Sequence, residues 1–520
     1  MSVTETTSLR KKRFLKSFLA SVFGTGASRI AGGVRDVVLS NFLGAGSVSD
    51  AFFIAFTVPT VFRRFVADEG LTGALIPALA QAEKEDPKAA KRVANTVLAA
   101  LLIANLVLCV IGILCADWLV QAFAWSFTEN PEQYALTVQL TRWLFPFVAM
   151  VSLVSFFESL LNHRKHFFVP KMAPGLVSAG IAASAVLLGT SFQQPVYALV
   201  VGVLGGGVAH VLVNLPVVWK KWGTFGLCFD FGDPRFRAIA RELLKVIAIG
   251  VLAQINILVL RQLATSVGDG AVTQYWNANR LVDLSQGIIA VAVGSALLPN
   301  ISQSVSDRNW DVFQRDLRGA VQLAGFFLVP VAMGILVFAT PLASMMFRHG
   351  AYTWEAALET GRTLQIMAPF LLAVAAINIV KKVYFALEDR NTLFVVGMVG
   401  VVLTAILGVV LMPGLGVAGL GAALSLSTTA QLIMYLWVLG RRLPGKLHLS
   451  ALGRPLLPLV AAAIPSTLIL WVCAGFGEWS GGPVLFMNWV IFLVGGGSAV
   501  GVYLGGCWLL GVKGPSRGSS

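Results

Sequence analysis

Apolar residues recur along this chain in long, nearly unbroken stretches separated by short polar loops. A helix needs about twenty such residues to cross the hydrocarbon core of a bilayer. Fourteen spans of that kind fall within 14–43, 49–80, 93–117, 136–162, 169–190, 195–219, 239–266, 271–303, 317–340, 360–387, 393–412, 414–439, 455–475 and 485–511. The pattern is not the short alternating segments of a β-barrel, so the expected class is an all-α polytopic membrane protein with 14 transmembrane helices.

Positive charge tests that count. Odd-numbered loops are basic: Lys84, Lys88, Lys91 and Arg92, then Arg164 and Lys165, then Lys220, Lys221, Arg235 and Arg237. The same side continues with Arg308 and Arg315, with Lys381, Lys382 and Arg390, and with Arg441, Arg442, Lys446 and Arg454. Even-numbered loops hold almost no Lys or Arg, Arg348 being the exception. Cytoplasmic loops carry the basic excess, so the alternation predicts both termini on the cytoplasmic side. One helix missed or invented would break the alternation from that point on.

The halves resemble each other. Gly73-Ala-Leu-Ile-Pro77-Ala-Leu-Ala-Gln81 recurs as Ser295-Ala-Leu-Leu-Pro299-Asn-Ile-Ser-Gln303, an offset of 222, and Pro146-Phe147 recurs as Pro369-Phe370, an offset of 223. Six spans separate the copies, an even number, so the expected architecture is two parallel, pseudo-symmetric six-helix lobes plus two extra C-terminal helices. The predicted divisions are 1–220 for the N-terminal lobe, 221–245 for a cytoplasmic amphipathic linker, 246–440 for the C-terminal lobe and 441–520 for the last two spans and tail.

Composition changes the picture only slightly. Of 520 residues, 57% are hydrophobic and 12% charged, and the mean hydropathy is +0.79. The net charge of +14 is spent on orientation, which leaves no case for nucleic-acid binding. Five cysteines without metal-ligand spacing read as small apolar residues. The basic N-terminus before an apolar run looks like a signal peptide, but the run continues through Arg29 and Arg35, as expected of a retained first helix. Neither a Walker motif nor any other nucleotide loop is present, and the GVLGGG run at 202–207 reads as close helix packing. His163-Arg164-Lys165-His166 reads as a cytoplasmic turn rather than a metal site. The expectation is a transporter and not an enzyme, without metal or cofactor.

The chemistry lies in arginines within the spans: Arg29, Arg35, Arg63, Arg64 and Arg280. An arginine near a helix centre costs about 2.5–3.5 kcal/mol on insertion scales, a penalty relieved if it faces a hydrated cavity. A guanidinium stays charged at any relevant pH and binds phosphate oxygens through a planar fork, so a cluster suits a pyrophosphate. In Ser28-Arg29-Ile-Ala-Gly32-Gly33-Val-Arg35-Asp36, Arg29 and Asp36 share a helical face and Arg35 points about 120° away. The glycine pair is the expected hinge, a bend there turning both arginines into one cavity. In the second span Asp50 starts the helix, Pro59 kinks it, and one of Arg63 and Arg64 faces inward while the other pairs with Asp68 or Glu69. In the eighth, Asp283 lies three residues beyond Arg280, placed to hold it. Arg261 lies near enough to the external end of its span to snorkel, and Glu158 is a further charged residue within the fourth.

At these residues the chain resembles the MurJ/MviN family of lipid II flippases, within the multidrug/oligosaccharidyl-lipid/polysaccharide exporter superfamily. The stretches that carry the resemblance are SRIAGGVRD (28–36), GAGSVSDAFFIAFTVPTVFRRFVADEG (44–70), ALIPALAQ (74–81), LLNHRKHFFVPKMAP (160–174), NRLVDLSQGIIAVAVGSALLP (279–299), FRHGAYT (347–353) and GVAGLGAALSLS (416–427). The resemblance implies lipid II, the undecaprenyl-pyrophosphate-linked disaccharide–pentapeptide, as cargo for cell-wall synthesis in a bacterial cytoplasmic membrane. It also implies membrane lipids and cell-wall synthesis proteins as partners. The family's cavity arginines fall on Arg29, Arg35, Arg63 and Arg280, its acids on Asp36 and Asp50, and its lipid-tail groove on the last two spans. The chain departs from the family at Thr57, where a lysine is frequent, at Asn279, where an aspartate is usual, and at Ser285, where a proline is usual. Leu260-Arg261 stands where some relatives offer a sodium ion an acid or amide. Export of another polyprenyl-pyrophosphate glycan fits the same anion chemistry; a cation-coupled drug exporter calls for an acidic cavity instead.

Overall fold

The structure, a computed structural model, describes residues 24–66, 70–296, 303–305, 307, 309–442 and 453–512, with the side chains of 63–66, 70, 87, 245–253 and 287–296 outside that description. The described residues form helices joined by turns, and ten helices are long and apolar enough to cross a membrane. Of the other four expected spans, the first and eighth run into undescribed residues. The second is divided by undescribed 67–69, and the seventh has undescribed side chains at 245–253. The chain separates into two compact units, 1–258 and 259–520.

In the first unit the helices are α1 (24–43), α2 (Ser47–Val66), α3 (Gly70–Glu85), α4 (Pro87–Leu114), α5 (Ala116–Phe123), α6 (Pro131–Leu144), α7 (Phe147–His163), α8 (Phe168–Met172), α9 (Pro174–Leu188) and α10 (Val196–Trp222). Starts are written in the sequence. Asp86 and Asn130 accept from the N–H groups of Lys88 and Gln133, each just before a proline at the first helical position. Leu71, Leu75 and Leu79 recur every fourth residue on α3 and pack against Val93 and Val97 of α4, Phe156 and Leu160 of α7, and Val218 and Trp222 of α10. The glycine run on α10 lets α9 approach closely: a Cβ on Gly206 would lie 2.7 Å from the Cα of Val177, and one on Gly202 would lie 2.7 Å from the carbonyl oxygen of Gly180.

The segment expected to lie as a separate amphipathic linker at 221–245 divides differently. Residues 223–233 are irregular, and α11 then runs from Pro234 to Thr265 as one helix joined to the seventh span. Pro234 opens it, and no later proline interrupts its hydrogen bonds.

The second unit takes the end of α11, then α12 (Ala271–Ala296), α13 (Trp310–Phe347), α14 (Trp354–Ile366), α15 (Ala368–Ala386), α16 (Arg390–Leu415), α17 (Val417–Arg442), α18 (Leu457–Phe476) and α19 (Phe486–Leu509). The last two pack on α13 through Val329, Leu459, Ala462, Tyr503 and Cys507, with the Tyr503 hydroxyl donating to the Phe326 carbonyl at 2.7 Å. The link between them is closed by Asn488, whose amide donates to the carbonyls of Glu478 and Gly482 at 2.8 Å and accepts from the Glu478 N–H at 3.1 Å.

The two units repeat a local geometry. Helix α7 ends with Lys165 at φ 59°, where the N–H groups of Lys165 and His166 return to the carbonyls of Asn162 and Leu161, both at 2.9 Å. Helix α15 ends with Glu388 at φ 57°, where Glu388 and Asp389 return to Phe385 and Tyr384 at 3.1 and 3.0 Å. Every member of one turn stands 223 positions from its counterpart, the offset already carried by Pro146 and Pro369. Both are Schellman turns, whose left-handed position favours glycine, and they hold the two positive-φ non-glycine residues among those described. Of the other sequence repeat, positions 297–302 lie outside the described residues.

Candidate functional site

Helix α1 runs without a break through Gly32 and Gly33. Gly32 is buried, Arg29 is half-buried, and Asp36 is 2% exposed, as residues spaced three and seven along one face should be. A Cβ on Gly175 of α9 would lie 3.3 Å from the Cα of Ser28, so the turn that carries Arg29 packs against α9. Gly33 has open space around it, which leaves conformational freedom rather than packing as its reason.

Arg35 folds back onto its neighbour in the chain. Its Nε and Nη2 donate to one oxygen of Asp36 at 2.9 and 2.5 Å, and both side chains are buried. The helical angle fixes only where Cβ leaves the backbone, and a long arginine folds back from there. Asp36 thus holds the guanidinium of its own neighbour, on the face that Arg29 shares by spacing. Asp36 occupies two of the five N–H donors of the guanidinium.

On α2, residues 51–58 are buried all round, and Asp50 in the first turn is 1% exposed. Pro59 lies inside the helix and has no N–H for the carbonyl of Ala55. Thr57 gives its hydroxyl back to the Phe53 carbonyl at 2.6 Å, so it meets its own polar requirement within the helix. The backbone at Arg63 and Arg64 is helical and their side chains are outside the description, while Asp68 and Glu69 lie outside the described residues altogether.

In the second unit, Trp276, Arg280 and Asp283 share a face of α12 at spacings of four and three. Arg280 is half-buried and Asp283 exposed, and Asp283 accepts from the Asn279 amide at 3.2 Å. Ser285, standing where a proline is usual in the resembling family, donates to the Leu281 carbonyl at 3.1 Å, and α12 continues unbroken.

Arg261 does not snorkel. It is 7% exposed, and its guanidinium lies 4.6 Å from the ring centre of Trp276 and 5.9 Å from that of Tyr275. The short turn between α11 and α12 folds the two helices back, which sets Arg261 against the aromatic pair one turn from Arg280. The signal in the sequence was an aromatic pair about as far beyond that turn as Arg261 is before it.

Each of the two units carries buried or half-buried arginine on its helices, fixed positive charge of the kind that binds anionic groups. Against known families, the model for the lipid II flippase MurJ matches residues 39–490. The chain belongs to the MurJ family of lipid II flippases. The lipid II flippase MurJ of Burkholderia cenocepacia is 29% identical over 463 residues, covering 87% of this chain and 89% of that relative. The probable lipid II flippase MurJ of Bdellovibrio bacteriovorus is 28% identical over 456 residues, covering 87% of each. Among solved structures, a lipid II flippase MurJ in an inward closed conformation matches with a TM-score of 0.76 at 20% identity, over 95% of this chain and 98% of that one. An inward-facing multidrug resistance transporter of the MATE family matches at 0.65 and 17% identity, over 82% of this chain and 96% of that one. The family match carries the assignment, while the structural likenesses show a fold that the flippases share with the MATE transporters.

Proposed function

We propose that this protein moves lipid II from the inner to the outer leaflet of a bacterial cytoplasmic membrane, as a transporter without a covalent step. The observation that carries the reading is the family match across residues 39–490, which spans the stretches holding Arg63 and Arg280. Arg29, Arg35, Arg63 and Arg280 hold the pyrophosphate, and Arg261, set one turn from Arg280, adds a further guanidinium. Ser28, Asp36, Asp50, Arg64, Glu69 and Asp283 position or gate these groups. Asp36 gives this proposal a physical form, since its contact with Arg35 fixes one fork while leaving donors for a ligand.

In this reading fourteen spans form two parallel lobes with both termini cytoplasmic. The lobes alternate access by rocking about Gly32, Gly33 and Pro59, and the lipid tail follows the last two helices. Cell-wall synthesis proteins receive the cargo outside. The test replaces Arg29, Arg63 and Arg280 together with alanine in cells that depend on this protein for wall synthesis. Arrested growth and lysis are expected at normal membrane levels of the variant, and normal growth ends the reading. Failure of the wild type to replace a host's own lipid II flippase, with success in a strain lacking a different polyprenyl-pyrophosphate glycan exporter, moves the assignment to that cargo.

A further inference from the structure

The first unit holds a second pair of ionisable groups, on α7 and α10. His210 sits at the middle of α10 and Glu158 in the latter half of α7, both within helices apolar enough to cross a membrane. His210 Nε2 stands 3.8 Å from Glu158 Oε1, and the two side chains are 6% and 25% exposed. That separation is within reach of an ion pair and too long for a hydrogen bond. Among the described residues Nε2 has no hydrogen-bond partner. A buried polar atom left unpaired costs about 1–3 kcal/mol, so its presence in an apolar bundle needs a reason.

The polar residues within a turn of the pair along its two helices are uncharged. Asn214, one turn along α10 and fully buried, donates to the His210 carbonyl at 3.0 Å, while its own Oδ1 has no partner among the described residues. Ser159 of α7 is committed to Ser155 and Thr72. Several charged groups on the packed helices are paired elsewhere, and Lys84, Lys220, Lys221 and Glu132 stand in the end turns of their helices. On α3, Glu83 holds His163 and Arg164, and Glu85 holds Arg235. On α4, Lys88, Lys91 and Arg92 occupy the first two turns, with Arg92 against Asp230. On α6, Arg142 pairs with Asp117 of α5. Helix α9 carries no titratable side chain, Lys171 of α8 lies in the segment after the cytoplasmic turn, and α2 contributes Asp50 in its first turn with Arg63 and Arg64 near its other end. The position related to Glu158 by the 223-residue repeat is Lys381, so the feature belongs to the first unit alone.

We propose that Glu158 and His210 form a proton-binding site inside the first unit. A proton taken up at His210 Nε2 turns the imidazole into a donor aimed at the Glu158 carboxylate. The pair passes from a net charge of minus one to zero, and the new hydrogen bond draws α7 and α10 together. Histidine is the side chain suited to such a change near neutral pH. Within the flippase reading, on which this use depends, the site lets the cycle respond to a proton gradient.

The test uses the full chain in nanodiscs with isotope-labelled histidine, the His210 resonance being assigned by its loss in His210→Gln. The expected result is a resonance that responds to pH, with its midpoint displaced in Glu158→Gln if the two groups share one proton site. Glu158→Asp should keep most of the wild-type midpoint. A resonance that ignores pH, or a midpoint unmoved by Glu158→Gln, overturns the proposal. In proteoliposomes holding lipid II, an imposed pH gradient should change the wild-type flipping rate several-fold and leave Glu158→Gln and His210→Gln nearly unresponsive. Flipping that ignores the gradient overturns the coupling and leaves the flippase reading standing. Absence of any flipping removes that reading, while the histidine titration still decides the proton site.

Discussion

Arg35 is the residue at which side-chain reach overrides the helical wheel. Its guanidinium and the Asp36 carboxylate are buried as a bonded pair, which removes most of the penalty of placing either charge inside the bundle. Asp36→Ala leaves a cation without that partner and should lower stability by about 3–5 kcal/mol, read as an earlier thermal transition of the detergent-solubilised protein. Replacing both residues with apolar ones of similar size, Arg35→Met with Asp36→Leu, should recover much of that loss while weakening lipid II binding. Recovery of stability without loss of binding would remove Arg35 from the pyrophosphate site. The arginines themselves are legible in the chain because a charge in an apolar run stands out. Their partners are not, because those depend on where a flexible side chain ends.

At the scale of elements, the close approach of α9 and α10 rests on absent side chains. Gly206→Leu forces a branched side chain into the backbone of α9 and should lower the thermal midpoint by several degrees, whereas Gly205→Ala, next to it and facing open space, should change little. Equal effects from the two would show that the helices are not held this closely. The C-terminal end of α7 is tied to α3 through Glu83. The hydrogen bond with His163 holds the Glu83 carboxyl below its ordinary value of 4.5, slight burial opposes this, and Arg164 reinforces it. A lowered acid contributes stability that is full above about pH 4.5 and lost as the pH falls through the depressed value. Glu83→Gln should therefore reduce the thermal midpoint at neutral pH and flatten its decline below about pH 4.5, a contrast that differential scanning fluorimetry across pH 3–7 can read. A wild-type midpoint that falls no faster than the variant's in acid would dismiss the tie.

For the whole molecule, the alternation of basic loops makes a test that needs no ligand. With the five native cysteines replaced, Glu129→Cys should react with an impermeant maleimide in intact spheroplasts, and Thr224→Cys only after the membrane is opened. Labelling of both from outside would break the topology. Two short matches in the sequence stand at one offset, and the structure adds paired turns at Lys165 and Glu388 at the same offset that share no side-chain chemistry. Backbone geometry persists there because hydrogen bonds to the preceding turn fix it whichever residue occupies the site. By itself the sequence determined what can be read one residue at a time: apolar length, which loops carry lysine and arginine, and which apolar runs contain charge. Only the tertiary structure decided which charges meet, setting Arg35 on Asp36, Arg261 over Trp276 and His210 beside Glu158. Such pairings depend on the direction and length of side chains, whether they leave neighbouring positions or separate helices, and no periodicity along one chain records that.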